Sequence, residues 1–263
     1  MSDLAAPRVA ARATGISDPL IMAARCFRLS RRQIDALFTS LLLPVMLMVV
    51  FVYLFGGAIR TGDPHYITYV VPGVLLLCAA VGASGTAVSV SQDMTGGIID
   101  RFRSMNVGGA SVLFGHVAAN VARNIVSTVP VFGVAFGIGF RPHAGPVAWL
   151  AVAGLLVLFV AAISWLCAAW GLAAGSAEAA SGCMFLLMFV TYASSAFVPI
   201  RTMPSWLHGF AAHQPATPVI ETMRGLLLHT PVGSNWWQAV AWCAGIMAVS
   251  VLGCAVLFRR RTA

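Results

Sequence analysis

Between Arg141 and Arg201 the chain carries one charged residue, Glu178. A stretch that long cannot cover a water-facing surface, because it has almost nothing to hydrate. Similar uncharged runs lie between Asp35 and Arg60 and between Asp63 and Asp93. Soluble domains carry about 25% charged residues; this chain of 263 residues carries 9%, against 59% hydrophobic. A soluble globular enzyme is therefore excluded. So is disorder, since apolar surface to bury is abundant. An all-α polytopic membrane protein remains, because a helix satisfies its backbone groups internally in lipid.

A bilayer-spanning helix needs about 20 mostly apolar residues, and the charges punctuate the sequence into six such runs. The first centres on residues 41–55 and the second covers about 67–90. The third begins near Val112 and contains Arg123, which either snorkels from the cytoplasmic half or faces the protein interior. Gly175-Ser176-Ala177-Glu178 breaks the long run into a fourth span near 146–174 and a fifth near 181–199. The sixth covers about 236–258, with Trp236, Trp237 and Trp242 as an interfacial belt. With the N-terminus inside, eleven arginines flank the cytoplasmic ends and four the outer ends, Arg123 aside. Both termini are thus expected in the cytoplasm of a plasma-membrane protein. Arg8 and Arg12 precede no adjacent apolar core, so no cleavable signal peptide is expected.

All sixteen basic residues are arginine. A phosphate-binding P-loop needs its lysine, so this chain carries none, and lysine Schiff-base chemistry is equally excluded. The net charge of +8 is accounted for by the ends of spans, and no nucleic-acid partner is expected. The six cysteines show no C-x-x-C spacing and mostly fall inside apolar runs, which predicts neither a disulfide framework nor a metal site.

Three segments outside the spans carry pattern. Residues 1–16 read as a flexible tail. Ser17-Asp18-Pro19 then opens a helix with Arg25, Arg28 and Arg32 on one face and Leu20, Ala24, Phe27 and Ile34 on another. Such a basic amphipathic helix lies flat on the cytoplasmic leaflet. After the second span, Gly96-Gly97 breaks the helix, and Ile98, Ile99, Phe102 and Met105 align on one face of a short helix, with Asp100, Arg101 and Arg103 opposite. The residues alone leave two roles open, docking into a partner's groove or resting on the membrane. Before the last span, Pro204-Ser205-Trp206-Leu207 opens one short helix. Thr217-Pro218 caps another, with Val219, Ile220, Met223, Leu226 and Leu227 on one face. Neither is long enough to cross, so a re-entrant pair in the outer leaflet is expected. There Glu221 and Arg224, three residues apart, are positioned to pair.

This combination resembles the membrane subunit of ABC-2 type exporters, in particular the daunorubicin/doxorubicin-resistance-like permeases of actinobacteria. The resemblance covers nearly the whole of 17–263. It is carried locally by Gly97-Ile98-Ile99-Asp100-Arg101-Phe102-Arg103-Ser104-Met105-Asn106, and by Phe210-Ala211-Ala212-His213-Gln214-Pro215 with Met223-Arg224-Gly225. Asp93 alone stands where the family shows an acidic-basic-acidic run, and Asn106 where it shows proline.

The resemblance implies a permease subunit that holds no cofactor itself. ATP and Mg are bound by a separate nucleotide-binding ATPase subunit, which docks on the Ile98–Met105 segment. It also implies a second permease copy or a sibling permease, contact with membrane lipid, and a hydrophobic or amphipathic substrate, drug or lipid. The spans contain no mid-membrane carboxylate, which disfavours a proton-coupled carrier. Alternatives are a polysaccharide or glycolipid exporter permease, which a wide aromatic-lined channel would favour, and a non-transporting scaffold. An intramembrane enzyme using His116, Asp93 and Asp100 is a further alternative, but their spacing fits no motif.

Overall fold

A computed structural model of the chain describes residues 34–59, 66–96 and 109–262, and among these there is no strand. Helix α1 (Ile34–Val50) continues into a π-helical turn, Phe51–Phe55. It is followed by α2 (Tyr66–Thr95), α3 (Gly109–Ile138), α4 (Pro146–Ala173) and α5 (Ala177–Tyr192). Two short helices, α6 (Ser205–His213) and α7 (Ala216–Leu228), precede α8 (Asn235–Thr262).

Helix α2 is the axle of the bundle. Val70, Val71, Val74 and Leu75–Leu77 leave it without a polar side, and a helix apolar all round must be buried. It packs against α1, α3, α4, α5 and α7. The most apolar stretch of α2 is 83% buried, against 22% for α3 and 17% for α8. The latter two therefore present their apolar faces outward, with Val129 on α3 and Val249 and Leu252 on α8 exposed. Close approach needs small residues, since helices in lipid associate by packing rather than by escape from water. A Cβ on Gly171 of α4 would collide with the carbonyl of Ala87 on α2.

Among the described residues four helices are long and apolar enough to cross a membrane: α2, α3 from Ser111, α4, and α8 as far as Arg259. Two shorter apolar helices, Leu41–Phe55 and α5, stand where the first and fifth spans are expected. The fifth departs from its expected bounds of 181–199. It starts at Ala177, where Ser176 caps it by accepting from Ala179 N–H, and leaves helical geometry at Tyr192. Ser194 is responsible for the exit. Its hydroxyl donates to Thr191 O at 2.5 Å and accepts from Ala196 N–H at 3.1 Å, diverting the backbone into turns. The following carbonyls are placed inward: Phe197 O accepts from the Tyr66 hydroxyl at 2.6 Å, and the Phe197 ring stacks on Phe51 at 4.4 Å. Irregular backbone at such depth is tolerated because protein, not lipid, surrounds it.

Two ties hold the ends of the bundle. At the Thr95 end, His116 Nε2 lies 2.9 Å from Asp93 Oδ2, joining α3 to α2. Between α4 and α5 the buried thiols of Cys167 and Cys183 lie 3.3 Å apart.

Candidate functional site

The short pair α6 and α7 is built around one arginine. Helix α7 begins at Ala216 rather than at the expected cap Thr217. Gln214 Oε1 accepts from Ala216 N–H at 3.0 Å, so Gln214 takes the capping role. Thr217 turns inward, donating to Ala211 O at 2.6 Å and accepting from Gln214 Nε2 at 3.1 Å, which ties α7 to α6. Pro215 sits between them as the corner. The expected apolar face is the one buried: Val219, Ile220, Met223 and Leu227 are inaccessible, and Leu226 is at the margin.

Arg224 lies on the inner side of α7, with a side chain only 9% exposed. It pairs with Glu221 at 2.6 Å, as the spacing predicts. It also donates to two backbone carbonyls that nothing in the sequence marks. Nη2 reaches Tyr69 O at 3.0 Å and Ser195 O at 2.9 Å, while the guanidinium lies 3.6 Å from the Tyr69 ring centre. Pro72 on α2 supplies no N–H to Thr68, so the ladder is interrupted beside the carbonyl that Arg224 takes. The fork of one guanidinium thus joins α7, α2 and the end of α5. Trp206, by contrast, is 79% exposed on α6.

A second polar feature lies among the spans. On α3, Asn120, Arg123, Asn124 and Ser127 fall at i, i+3, i+4 and i+7 and form one stripe. Arg123 sits near the midpoint of α3. Of the two expected positions, it takes the one facing the protein. Asn120 is the hub of the stripe. Its Oδ1 accepts from Arg123 Nη2 at 3.0 Å and from Asn124 Nδ2 at 3.3 Å, and its Nδ2 donates to Ser164 Oγ on α4 at 2.7 Å. The Ser164 hydroxyl in turn donates to Val160 O at 2.6 Å.

Beside this stripe is a partly open cleft of about 430 Å³, lined by Leu43 of α1, Ser84, Gly82 and Gly85 of α2, Arg123, Asn124 and Ser127 of α3, and Met184 of α5. Gly82 is required there, because a Cβ would stand 2.7 Å from Asn124 Oδ1. Among the described residues no aromatic ring lines the cleft; the rings Phe132, Phe136, Phe140 and Trp149 pack on one another elsewhere. The stripe at i, i+3, i+4, i+7 was a signal readable in the sequence, although it marks no site by itself.

The basic face Arg25, Arg28 and Arg32, and the segment carrying Ile98, Ile99, Arg101, Phe102, Arg103 and Met105, lie outside the described residues. Among the described residues no group of three or more His, Cys, Asp or Glu is placed to hold a metal. His116 and Asp93 do come together, as a tie between helices, while Asp100 lies outside the described residues.

Comparison with known proteins adds the lineage. The family model described as "ABC-2 type transporter" matches residues 20–228. The chain is 27% identical over 256 residues to the daunorubicin resistance ABC transporter permease protein DrrB1 of Streptomyces coeruleorubidus, covering 96% of this chain and 90% of that one. It is 27% identical over 226 residues to the probable doxorubicin resistance ABC transporter permease protein DrrC of Mycobacterium tuberculosis, covering 84% and 80%. It is also 24% identical over 227 residues to a putative transport permease, ycf38, of Cyanophora paradoxa, covering 84% and 76%. A helical bundle with this many apolar spans, matched along most of its length by one family, is a multi-pass membrane protein, and the chain belongs to the ABC-2 type transporter membrane family.

Proposed function

We propose that this chain is the membrane half of an ATP-driven exporter that moves hydrophobic or amphipathic compounds, drugs or lipids, out of the cell. ATP and Mg are held and ATP is hydrolysed by a separate nucleotide-binding subunit, since this chain has no lysine with which to build a P-loop. In this reading the chain crosses the membrane six times. Helix α1 and α5, with the turns that follow it, complete the set, and both termini lie in the cytoplasm. Two permease halves, identical or sibling, form one pathway. The ATPase docks on the segment from Ile98 to Met105, the basic helix with Arg25, Arg28 and Arg32 rests on the inner leaflet, and α6 and α7 dip into the outer one.

The observation that carries the reading is the cleft beside Arg123 and Asn124. It is a mainly apolar hollow near the midpoint of α3 into which a few polar groups project, on the scale of a small-molecule site. Its lining of aliphatic and small polar residues suits an amphiphile better than a glycan chain, for which stacking aromatic rings would be expected. The test is co-purification. A tagged chain expressed in its native host should bring down a nucleotide-binding subunit, and the reconstituted complex should move a fluorescent amphiphile only when ATP is supplied. A chain that recovers no nucleotide-binding subunit and supports no ATP-dependent movement refutes the reading.

A further inference from the structure

Among the described residues the buried apolar side chains form two cores. The larger is built on α2. The smaller gathers Val90 of α2, Leu113 and Val117 of α3, Ala168 and Leu172 of α4, and Cys254 of α8. Val121 of α3 packs against both, so α3 passes from one core to the other there. The contact between Asp93 and His116 belongs to the smaller core. Along the chain Asp93 falls between Val90 and Met94, and His116 between Leu113 and Val117, all of them residues of that core. The two side chains are only 16% and 11% exposed, so their attraction is little screened.

Asp93 and His116 bracket residues 94–115, and the segment Ile98–Met105 falls inside that bracket. A push on a segment carried by two helix ends can move the ends together or part them. Apolar packing resists sliding poorly because it has no direction. A bond of 2.9 Å between a ring nitrogen and a carboxylate oxygen has one. It fixes which residue of α2 stands beside which residue of α3.

His116 also heads the polar face of α3. Asn120 stands one turn on at i+4, with Asn124 and Ser127 at i+8 and i+11. Asn120 Nδ2 donates to Ser164 Oγ of α4 at 2.7 Å, and Asn124 and Ser127 line the cleft. This face is thus pinned at two heights, to α2 through His116 and to α4 through Asn120. A rigid helix carries a rotation along its length, so a turn of α3 at His116 is also a turn of the cleft wall.

From this placement we infer that Asp93 and His116 are positioning residues of the transport cycle. Their bond makes the ends of α2 and α3 answer the ATPase as one body, and α3 carries that movement to the cleft. The inference rests on the permease reading and deepens it. For the test, the tagged chain is purified with the nucleotide-binding subunit it recovers and reconstituted in vesicles. ATP hydrolysis and movement of two probes, a nitrobenzoxadiazole-labelled phospholipid and ethidium, are measured on the same sample. The readout is molecules moved per ATP split.

Asp93→Ala and His116→Ala should each lower that ratio about fivefold or more, the lower end of coupling between sites, with hydrolysis within about twofold of wild type. The double alanine variant should be no worse than either single one, because each removes the same bond. Asp93→His combined with His116→Asp exchanges the partners and should recover most of the ratio. A merely structural pair would change the folded yield and leave the ratio alone. A wild-type ratio in both single variants overturns the inference. So do losses that add in the double variant, and an exchanged pair that folds yet stays uncoupled. If both alanine variants fail gel filtration, Asp93→Asn decides. It keeps the shape, gives up the charge that strengthens the bond, and should lower the ratio at least about twofold; an unchanged ratio overturns the inference. Failure of all three to fold overturns it too, and assigns the pair to folding alone. ATP-driven movement that the variants leave intact sinks the inference and spares the permease reading. A wild-type complex that moves neither probe with ATP sinks both.

Discussion

Arg224 shows how much one side chain holds here. Removing its guanidinium takes a charged donor away from the carbonyls of Tyr69 and Ser195 in a buried site, at about 1.5–3 kcal/mol for each hydrogen bond to a charged group. The Glu221 contact contributes far less, because Glu221 is 32% exposed and a partly hydrated pair gives roughly 0–1 kcal/mol. Arg224→Ala should therefore lower the midpoint of heat-induced loss from the gel-filtration peak much more than Glu221→Gln. Arg224→Lys should fall between them, because an ammonium cannot span both carbonyls in one plane. Equal losses for Arg224→Ala and Glu221→Gln would mean that the ion pair, not the carbonyls, is what matters. Only the ion pair was legible in the sequence. Glu221 stands three residues away, while Tyr69 and Ser195 lie 155 and 29 residues away and act through backbone atoms that every residue type shares.

Contacts between helices turn on what the closest residues lack. Gly171 sits against the Ala87 carbonyl, whereas Gly154, on the same helix, has nothing near its missing Cβ. Gly171→Ala should force α4 away from α2, at the roughly 1–3 kcal/mol typical of overpacking, and cut the folded yield. Gly154→Ala should be silent. Matching yields for the two would show that the approach is not tight. Helix limits follow the same contrast between marked and unmarked features. Pro146 opens α4 and the break at Gly175-Ser176 closes it, so its bounds were readable. The end of α5 was not, because Ala193 to Val198 are as span-like in composition as what precedes them. Only the hydrogen bonds of Ser194 turn the chain there. The start of α7 shifted by two residues for a related reason: Gln214 and Thr217 both offer capping oxygens, and packing against α6 decides between them.

At the scale of the whole chain, the expected topology and the energy input are both open to test. Single cysteines on a cysteine-free background should react with an impermeant reagent from outside at Ser234, and only after permeabilisation at Ser2 and Thr262. Labelling of intact cells at Ser2 would invert the arrangement. Phe102 is the largest apolar residue of its segment, and burying such a side chain in a partner's groove contributes about 1.5–3 kcal/mol. Phe102→Ala should thus reduce transport and transport-coupled ATP hydrolysis by the reconstituted complex while leaving the permease monodisperse. Undiminished coupling would make the segment a plain membrane-surface turn.

The burial of α7 also imposes an order on biogenesis. A helix of 13 residues is too short to leave the translocon as an independent span, and its arginine has no stable place in bare lipid. Both carbonyls that receive it belong to segments synthesised earlier, at Tyr69 and Ser195, and the helix that covers it, α8, is made last. Vectorial synthesis therefore delivers the receptor for α7 before α7 itself. A nascent chain stalled short of α7 would lack the guanidinium that the finished chain places against the carbonyls of Tyr69 and Ser195.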